Sequence, residues 1–190
     1  MRYIDKVCSF TGYRTAKLRE CLSHSVLEES DLPRYLVKEI TRLHGKGFSV
    51  FQCGMALGTD VMFAEAALQC KKDFPRIKLG AILPCRDQDK LWTDTQKARY
   101  QSLLQQADSV TYASQSYTKE CMFVRNRMLV DSCELLIAVF DGQKGGTFST
   151  IEYAKRKRKK IVILNPVTLK RTLLLHQSEE AEEINLFGEY

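Results

Sequence analysis

The chain has no C-x-x-C pair and no clustered histidines, so two common ways of stapling a small protein are not indicated. Its seven cysteines, Cys8, Cys21, Cys53, Cys70, Cys85, Cys121 and Cys133, are an odd number without the spacing of a disulfide framework or a zinc site. No metal is expected. Apolar runs are short, none long enough to cross a bilayer, and the opening MRYIDKVCSF lacks the apolar core of a signal peptide. A reducing cytoplasm is the expected home, with no membrane contact. There the thiols serve as small buried hydrophobes, although Cys8, Cys53 and Cys85 fall in or just after strands, where a reactive thiol is the alternative.

What is present fits a globular protein. A chain of 190 residues can bury a sizeable core as one domain. The formal charge of +6 is mildly basic, and much of the excess sits in Lys155-Arg156-Lys157-Arg158-Lys159-Lys160. Such a run can touch phosphates or nucleic acid, or it can be a solvated helix end where cations suit the dipole.

The stretch Arg125–Tyr153 organises the rest. Leu135 to Phe140 is an almost wholly apolar run, which suits a strand covered on both faces of a parallel sheet. Asp141-Gly142-Gln143-Lys144-Gly145-Gly146 follows, and then a helix from Thr147. A glycine-rich turn that opens a helix leaves amides without internal partners, and these attract anions, phosphate above all. A second copy of the design occurs where Phe48–Cys53 runs into Gly54-Met55-Ala56-Leu57-Gly58-Thr59-Asp60 and an Ala-rich helix. Two such turns at strand ends predict a shared ligand cleft at a reversal of strand order; tight turns with no ligand are the bland alternative.

Taken in order, strand and helix alternate. Strands are expected at Lys6–Thr11, Phe48–Cys53, Ile77–Leu83, Ser109–Ala113, Leu135–Phe140 and Ile161–Leu164. Helices are expected from Asp31, as cap, to Lys46, from Thr59 to Lys72, after Trp92 to Ala107, from Glu120 to Cys133 and from Thr147. Val167–His176 reads as a helix or an edge segment. Ser178–Glu183 reads as solvated or disordered, with Leu186, Phe187 and Tyr190 docking back. The fold class is α/β, a Rossmann-like three-layer sandwich with a mostly parallel central sheet, over 1–166, with 167–190 as an extension.

Several side chains carry two readings. Arg14 can hold a phosphate in bidentate fashion or be plain surface charge. Tyr13 can stack on a base or cover the sheet edge. Asp60 and Glu65 both suit the start of a helix dipole, and Asp60 can instead bind a ribose hydroxyl. Trp92, the single tryptophan, can stack on a nucleobase or pack in the core. Ser114–Lys119 is a polar loop that can lie over the cleft.

The ordered set Ser9-Phe10-Thr11-Gly12-Tyr13-Arg14, Cys53 to Asp60, Leu83-Pro84 with Gln88 and Trp92, Arg125-Asn126-Arg127, and Gly145-Gly146-Thr147-Phe148-Ser149-Thr150-Ile151 resembles the YpsA-like branch of the SLOG superfamily. The resemblance runs to about Pro166. It implies a modified Rossmann fold and a pocket for a nucleotide or ADP-ribose-like ligand, with no further cofactor. The binding set it implies is Gly12, Tyr13, Arg14, Gly54, Gly58, Thr59, Asp60, Trp92, Arg125, Asn126, Gly145, Gly146, Thr147 and Thr150. A homo-oligomer is consistent with the resemblance.

The lonely-guy members of that superfamily are phosphoribohydrolases with the motif Gly-Gly-x-Gly-Thr-x-x-Glu. Here Gly146-Thr147 and Arg125 match, but Thr150 stands where the glutamate is required. Glu152 is two residues further and about 200° round the helix, where pairing with Arg156 is the simpler role. Binding or sensing of a nucleotide is therefore the leading expectation. Hydrolysis of a nucleotide N-glycosidic bond through Asp60 or Glu65 is the alternative, as is single-stranded nucleic-acid binding like that of the DNA-processing proteins.

Overall fold

Alternating apolar strands and amphipathic helices leave one economical arrangement, a sheet buried between helical layers. The computed structural model describes residues 5–23, 25, 28–168, 170–175 and the backbone of 182–185. In chain order the elements are β1 (Lys6–Thr11), α1 (Thr15–Leu22), α2 (Leu32–Gly45), β2 (Phe48–Cys53), α3 (Thr59–Asp73), β3 (Lys78–Leu83), α4 (Asp94–Gln106), β4 (Ser109–Tyr112), α5 (Cys121–Asp131), β5 (Leu135–Val139), α6 (Gly146–Arg156), β6 (Lys160–Asn165), β7 (Lys170–Leu174) and β8 (Glu182–Asn185).

Among the described residues these strands form one eight-stranded sheet in the order β4-β3-β2-β1-β5-β6-β7-β8. The first six in that row are parallel, and the last two add antiparallel pairings. From β1 the chain steps outward through β2, β3 and β4, then returns to place β5 on the other side of β1. Strand order reverses between β1 and β5.

Alternation along β1 shows the layers. Phe10 stacks on Phe63 of α3, ring centroids 4.4 Å apart, whereas Ser9 donates from its hydroxyl to the Leu129 carbonyl of α5 at 2.6 Å. Neighbouring residues of a strand face opposite sides, so α3 and α5 cover opposite faces. α2 packs on α3, and α6 packs on α5. Every residue of β5 is buried, as its unbroken apolar run predicts, while β4 at the sheet edge is largely exposed.

Four local expectations need correction. α1 was not anticipated; its stripe Leu18, Cys21 and Leu22 is buried. α2 starts at Leu32 after a 3-10 turn over Glu29–Asp31, and the Asp31 carboxylate accepts from the Glu28 amide at 3.0 Å instead of capping the long helix. Of the two readings of Val167–His176, helix or edge segment, the helix does not occur: Lys170–Leu174 is a strand antiparallel to β6, with β8 outside it. Residues 182 and 183, expected to be solvated or disordered, lie in β8; 178–181, Leu186, Phe187 and Tyr190 lie outside the described residues.

All seven cysteines are free and buried. Burial pushes the thiols of Cys8, Cys21, Cys53, Cys70, Cys85 and Cys133 up, that of Cys85 to about 12, so these six sit as neutral small hydrophobes and not as thiolates.

Candidate functional site

In an open parallel sheet the loops leaving neighbouring strands part where strand order reverses, and the gap is a crevice. Here that gap lies above β1 and β5. A cavity of about 360 Å³ occupies it, lined by Thr11, Gly12, Tyr13, Arg14, Lys17, Ala56, Asp60, Met122, Arg125, Asn126, Gly146 and Thr147. Eight of these, Gly12, Tyr13, Arg14, Asp60, Arg125, Asn126, Gly146 and Thr147, belong to the set expected from the sequence.

Arg125 reaches across the floor from α5. Its Nη1 lies 3.2 Å from Asp60 Oδ2, and both side chains are more than nine-tenths buried. Gly54 makes room for this crossing, because a methyl group added there would occupy the place of the guanidinium. Burial raises the Asp60 carboxyl above its ordinary value, against the downward pull of Arg125 and of the Ala56 amide, which donates to Oδ2 at 3.3 Å. The Arg125 Nε is buried with no hydrogen-bond partner.

The opposite wall is tied by Tyr13. Its hydroxyl donates to the Asp141 carboxylate at the exit of β5, and its ring is 3% exposed. That ring packs beside Phe140, centroids 6.1 Å apart. Lys17 lies over the Tyr13 ring, Nζ 4.9 Å from the centroid, and donates to the Lys144 carbonyl at 2.8 Å. Burial raises the Asp141 carboxyl, but hydrogen bonds from Tyr13 and the Gln143 amide outweigh it and leave the group below its ordinary value. Lys17 escaped the sequence reading because α1 did; Arg14 and Lys17, three apart at the start of one helix, were the available signal.

At the mouth stands the N-terminus of α6. The Gly145 carbonyl accepts from the Ser149 amide at 2.9 Å and from the Ser149 hydroxyl at 3.1 Å. The amides of Gly146 and Thr147 precede the first helical bond. Thr147 lines the cavity, whereas Thr150 spends its hydroxyl on the Gly146 carbonyl at 2.9 Å. Thr150 lines a neighbouring pocket of about 250 Å³ with Phe123, Arg127 and Tyr153. Trp92 lines another, of about 220 Å³, on the other flank with Gln88, Leu57 and Arg14. Both flanks join the centre at Met122.

Other expected residues serve the scaffold. Thr59 spends its amide and its hydroxyl on the Tyr13 carbonyl, each at 3.0 Å. Gly58 adopts φ +105°, and a methyl there would stand 2.6 Å from the same carbonyl. Glu65 lies outside the three pockets in a two-pronged pair with Arg99, both contacts 2.6 Å. Glu152 pairs with Lys155 at 2.8 Å, not with Arg156, which lies over the Tyr153 ring. The basic run sits at the far end of α6 from the cavity. There Lys157 pairs with Asp131 at 3.5 Å and Lys159 donates to the Cys133 carbonyl at 2.6 Å. Among the described residues no cluster of metal-ligating side chains occurs, and no helix is long and apolar enough to cross a membrane.

Comparison with known proteins agrees with the fold. DNA processing protein A from Helicobacter pylori, described for its single-stranded DNA binding mode, has a TM-score of 0.59 at 18% identity over 84% of this chain. The DprA of Streptococcus pneumoniae gives 0.57 at 19% identity over 85%. This chain spans 65% and 50% of those two chains, and the likeness is one of fold. Among sequence relatives, the uncharacterized SPbeta prophage-derived protein YoqJ of Bacillus subtilis (strain 168) is 34% identical over 122 residues, which are 56% of this chain and 69% of that protein. The UPF0398 protein YpsA of the same organism is 25% identical over 149 residues, 75% of this chain and 79% of that protein. A model of the YspA SLOG family matches residues 8–169, a span that holds both glycine turns, Arg125 and every strand of the parallel core except the first two residues of β1; the chain belongs to that family.

Proposed function

We propose that the cleft binds a nucleotide-type ligand through its phosphate and that the protein acts as a binding or sensing module. The observation that carries this reading is the charge arrangement at the strand reversal. Arg14, Lys17 and Arg125 line one cavity with the free amides at the start of α6, and Asp60, the carboxylate that lines it with them, is already paired with Arg125. Such a cavity carries an excess of positive charge next to a helix N-terminus, the combination that takes phosphate. Its volume of about 360 Å³ falls in the range of small-ligand sites.

Asp60 is held by Arg125 and Glu65 by Arg99, and Thr150 fills the position where a lonely-guy enzyme needs its glutamate. A binding role therefore fits better than hydrolysis. The basic run lies at the far end of α6 from the cavity and is partly paired, which favours a small ligand over single-stranded DNA.

Calorimetric titration with ribose 5-phosphate and AMP, followed by chromatography for free adenine, tests the reading. Saturable binding that weakens about tenfold in Lys17→Met, with AMP recovered intact, is the expected result. Released adenine would establish a hydrolase. Tight, strongly salt-dependent binding of single-stranded DNA without phosphate-ligand binding would establish a nucleic-acid interface.

A further inference from the structure

Two flanks open from the central cavity, and they differ in their relation to the start of α6. The flank between α5 and α6 shares Gly146, the first residue of α6, with the cavity, together with Met122 and Asn126. The Trp92 flank shares Arg14, Ala56 and Met122 with it and is lined by no residue of α6. A ligand whose phosphate lies at the start of α6 therefore has the first flank beside it.

That flank has an aromatic wall. Phe123 and Arg127 stand one turn apart on α5, and Tyr153 comes from α6. The Arg127 guanidinium lies over both rings, 4.1 Å from the Phe123 centroid and 5.1 Å from that of Tyr153. Among the described residues Arg127 has no carboxylate partner, so the two rings are what hold it. Tyr153 is fixed in turn, its hydroxyl donating to the Asp131 carboxylate, 3.1 Å from each oxygen. Aromatic rings and arginine guanidinium groups together are the surfaces on which nucleobases stack.

Packing between the two helices does not account for this wall. Phe123 is 51% exposed, where a ring that only joined α5 to α6 would be buried. Of the exposed large apolar side chains among the described residues, it is the one that lines the central cavity or either flank. Asn126 is half-buried on the boundary of cavity and flank, and its side-chain amide makes no hydrogen bond among the described residues. That amide can donate and accept. On the other flank the Gln88 amide already donates to the Gly54 and Met55 carbonyls, and Trp92 meets the Tyr100 ring nearly edge-on, centroids 5.1 Å apart.

We propose that the α5–α6 flank is the subsite for the aromatic base of a nucleotide whose phosphate lies in the central cavity, with Phe123, Arg127 and Tyr153 as its stacking wall. Trp92, the residue that sequence reasoning would choose for the base, lies on the other flank and takes no part. This inference rests on the nucleotide reading above and goes beyond it by assigning the place of the base.

Calorimetric titration of AMP and of ribose 5-phosphate into the wild type, Phe123→Ala and Phe123→Tyr tests it. The wild type should bind AMP about tenfold or more tighter than ribose 5-phosphate, because only AMP carries a base to stack. Phe123→Ala should lose about tenfold in AMP affinity and Phe123→Tyr should stay within about twofold of the wild type, with ribose 5-phosphate binding all three alike. Unchanged AMP affinity in Phe123→Ala overturns the inference. So does an equal loss for ribose 5-phosphate, which would make Phe123 a support of the phosphate site and not a contact of the base. If the wild type binds AMP and ribose 5-phosphate equally, the base subsite falls and the phosphate cavity stands, a comparison that holds whatever the variants do. If neither binds, the nucleotide reading falls and this inference with it.

Discussion

The two glycine turns look alike in sequence and do different work. In the turn after β2 the glycines are spent on packing. Gly54 yields its space to Arg125, Gly58 lies against the Tyr13 carbonyl, and the first amide of α3 is already bonded to that carbonyl. In the loop after β5, a methyl on Gly142 or Gly146 would meet nothing within 4 Å, and the first amides of α6 border the cavity. A glycine turn ahead of a helix is therefore an anion site only when no other part of the chain has taken the amides. The β2 turn builds the wall of the cavity, and the β5 loop leaves the first residues of its helix bordering it.

Substitutions should separate the two. The largest effect is expected from Arg125→Met, which strands the Asp60 carboxylate in the interior. A stability loss of about 3–5 kcal/mol at neutral pH is expected by chemical denaturation. Asp60 has its pKa raised in the fold, so its protonated form is favoured there and the group's contribution declines as pH rises through the folded pKa. The deficit of Arg125→Met should accordingly shrink on acidification toward the carboxylate range.

Gly58→Ala comes next. A left-handed backbone and a clash with the Tyr13 carbonyl should cost about 1–3 kcal/mol, read from the shift in denaturation midpoint. Tyr13→Phe removes the hydroxyl that holds Asp141, with an expected loss of about 1–2 kcal/mol at neutral pH. Asp141 has its pKa lowered, so this stabilisation is present above the ordinary carboxylate value and fades as pH falls through the folded pKa. Wild type and Tyr13→Phe should therefore converge in acid.

The smallest change in stability belongs to the other turn. Gly146→Ala lies in open space at the first position of a helix and should shift stability by no more than about 1 kcal/mol, in the stabilising direction. Its expected effect is on ligand affinity. If Gly58→Ala and Gly146→Ala cost the same stability, the contrast between the turns is wrong.

Much of this was legible in the residues. The apolar run of β5 announced a doubly covered parallel strand, and the glycine turns announced the crevice. Eight of the fourteen residues in the expected binding set line one cavity. What was not legible has identifiable physical causes. β7 reads poorly as a strand because an inward position holds Arg171, in a buried two-pronged pair with Glu39 of α2, both contacts 2.8 Å. A buried ion pair looks like surface in any polarity pattern. α1 is only eight residues long, too short for periodicity to stand out, and with it went Lys17. Whether Thr59 faces a ligand or the Tyr13 carbonyl depends on a chain segment 46 residues away, and no local signal carries that.

The most direct test is to titrate AMP into uniformly ¹⁵N-labelled protein and follow each backbone amide. Anion binding at the start of α6 predicts the largest shifts at 145–149 and at 12–17, with 157–160 unmoved. Shifts concentrated at 157–160, with the amides of Gly146 and Thr147 unperturbed, would contradict it.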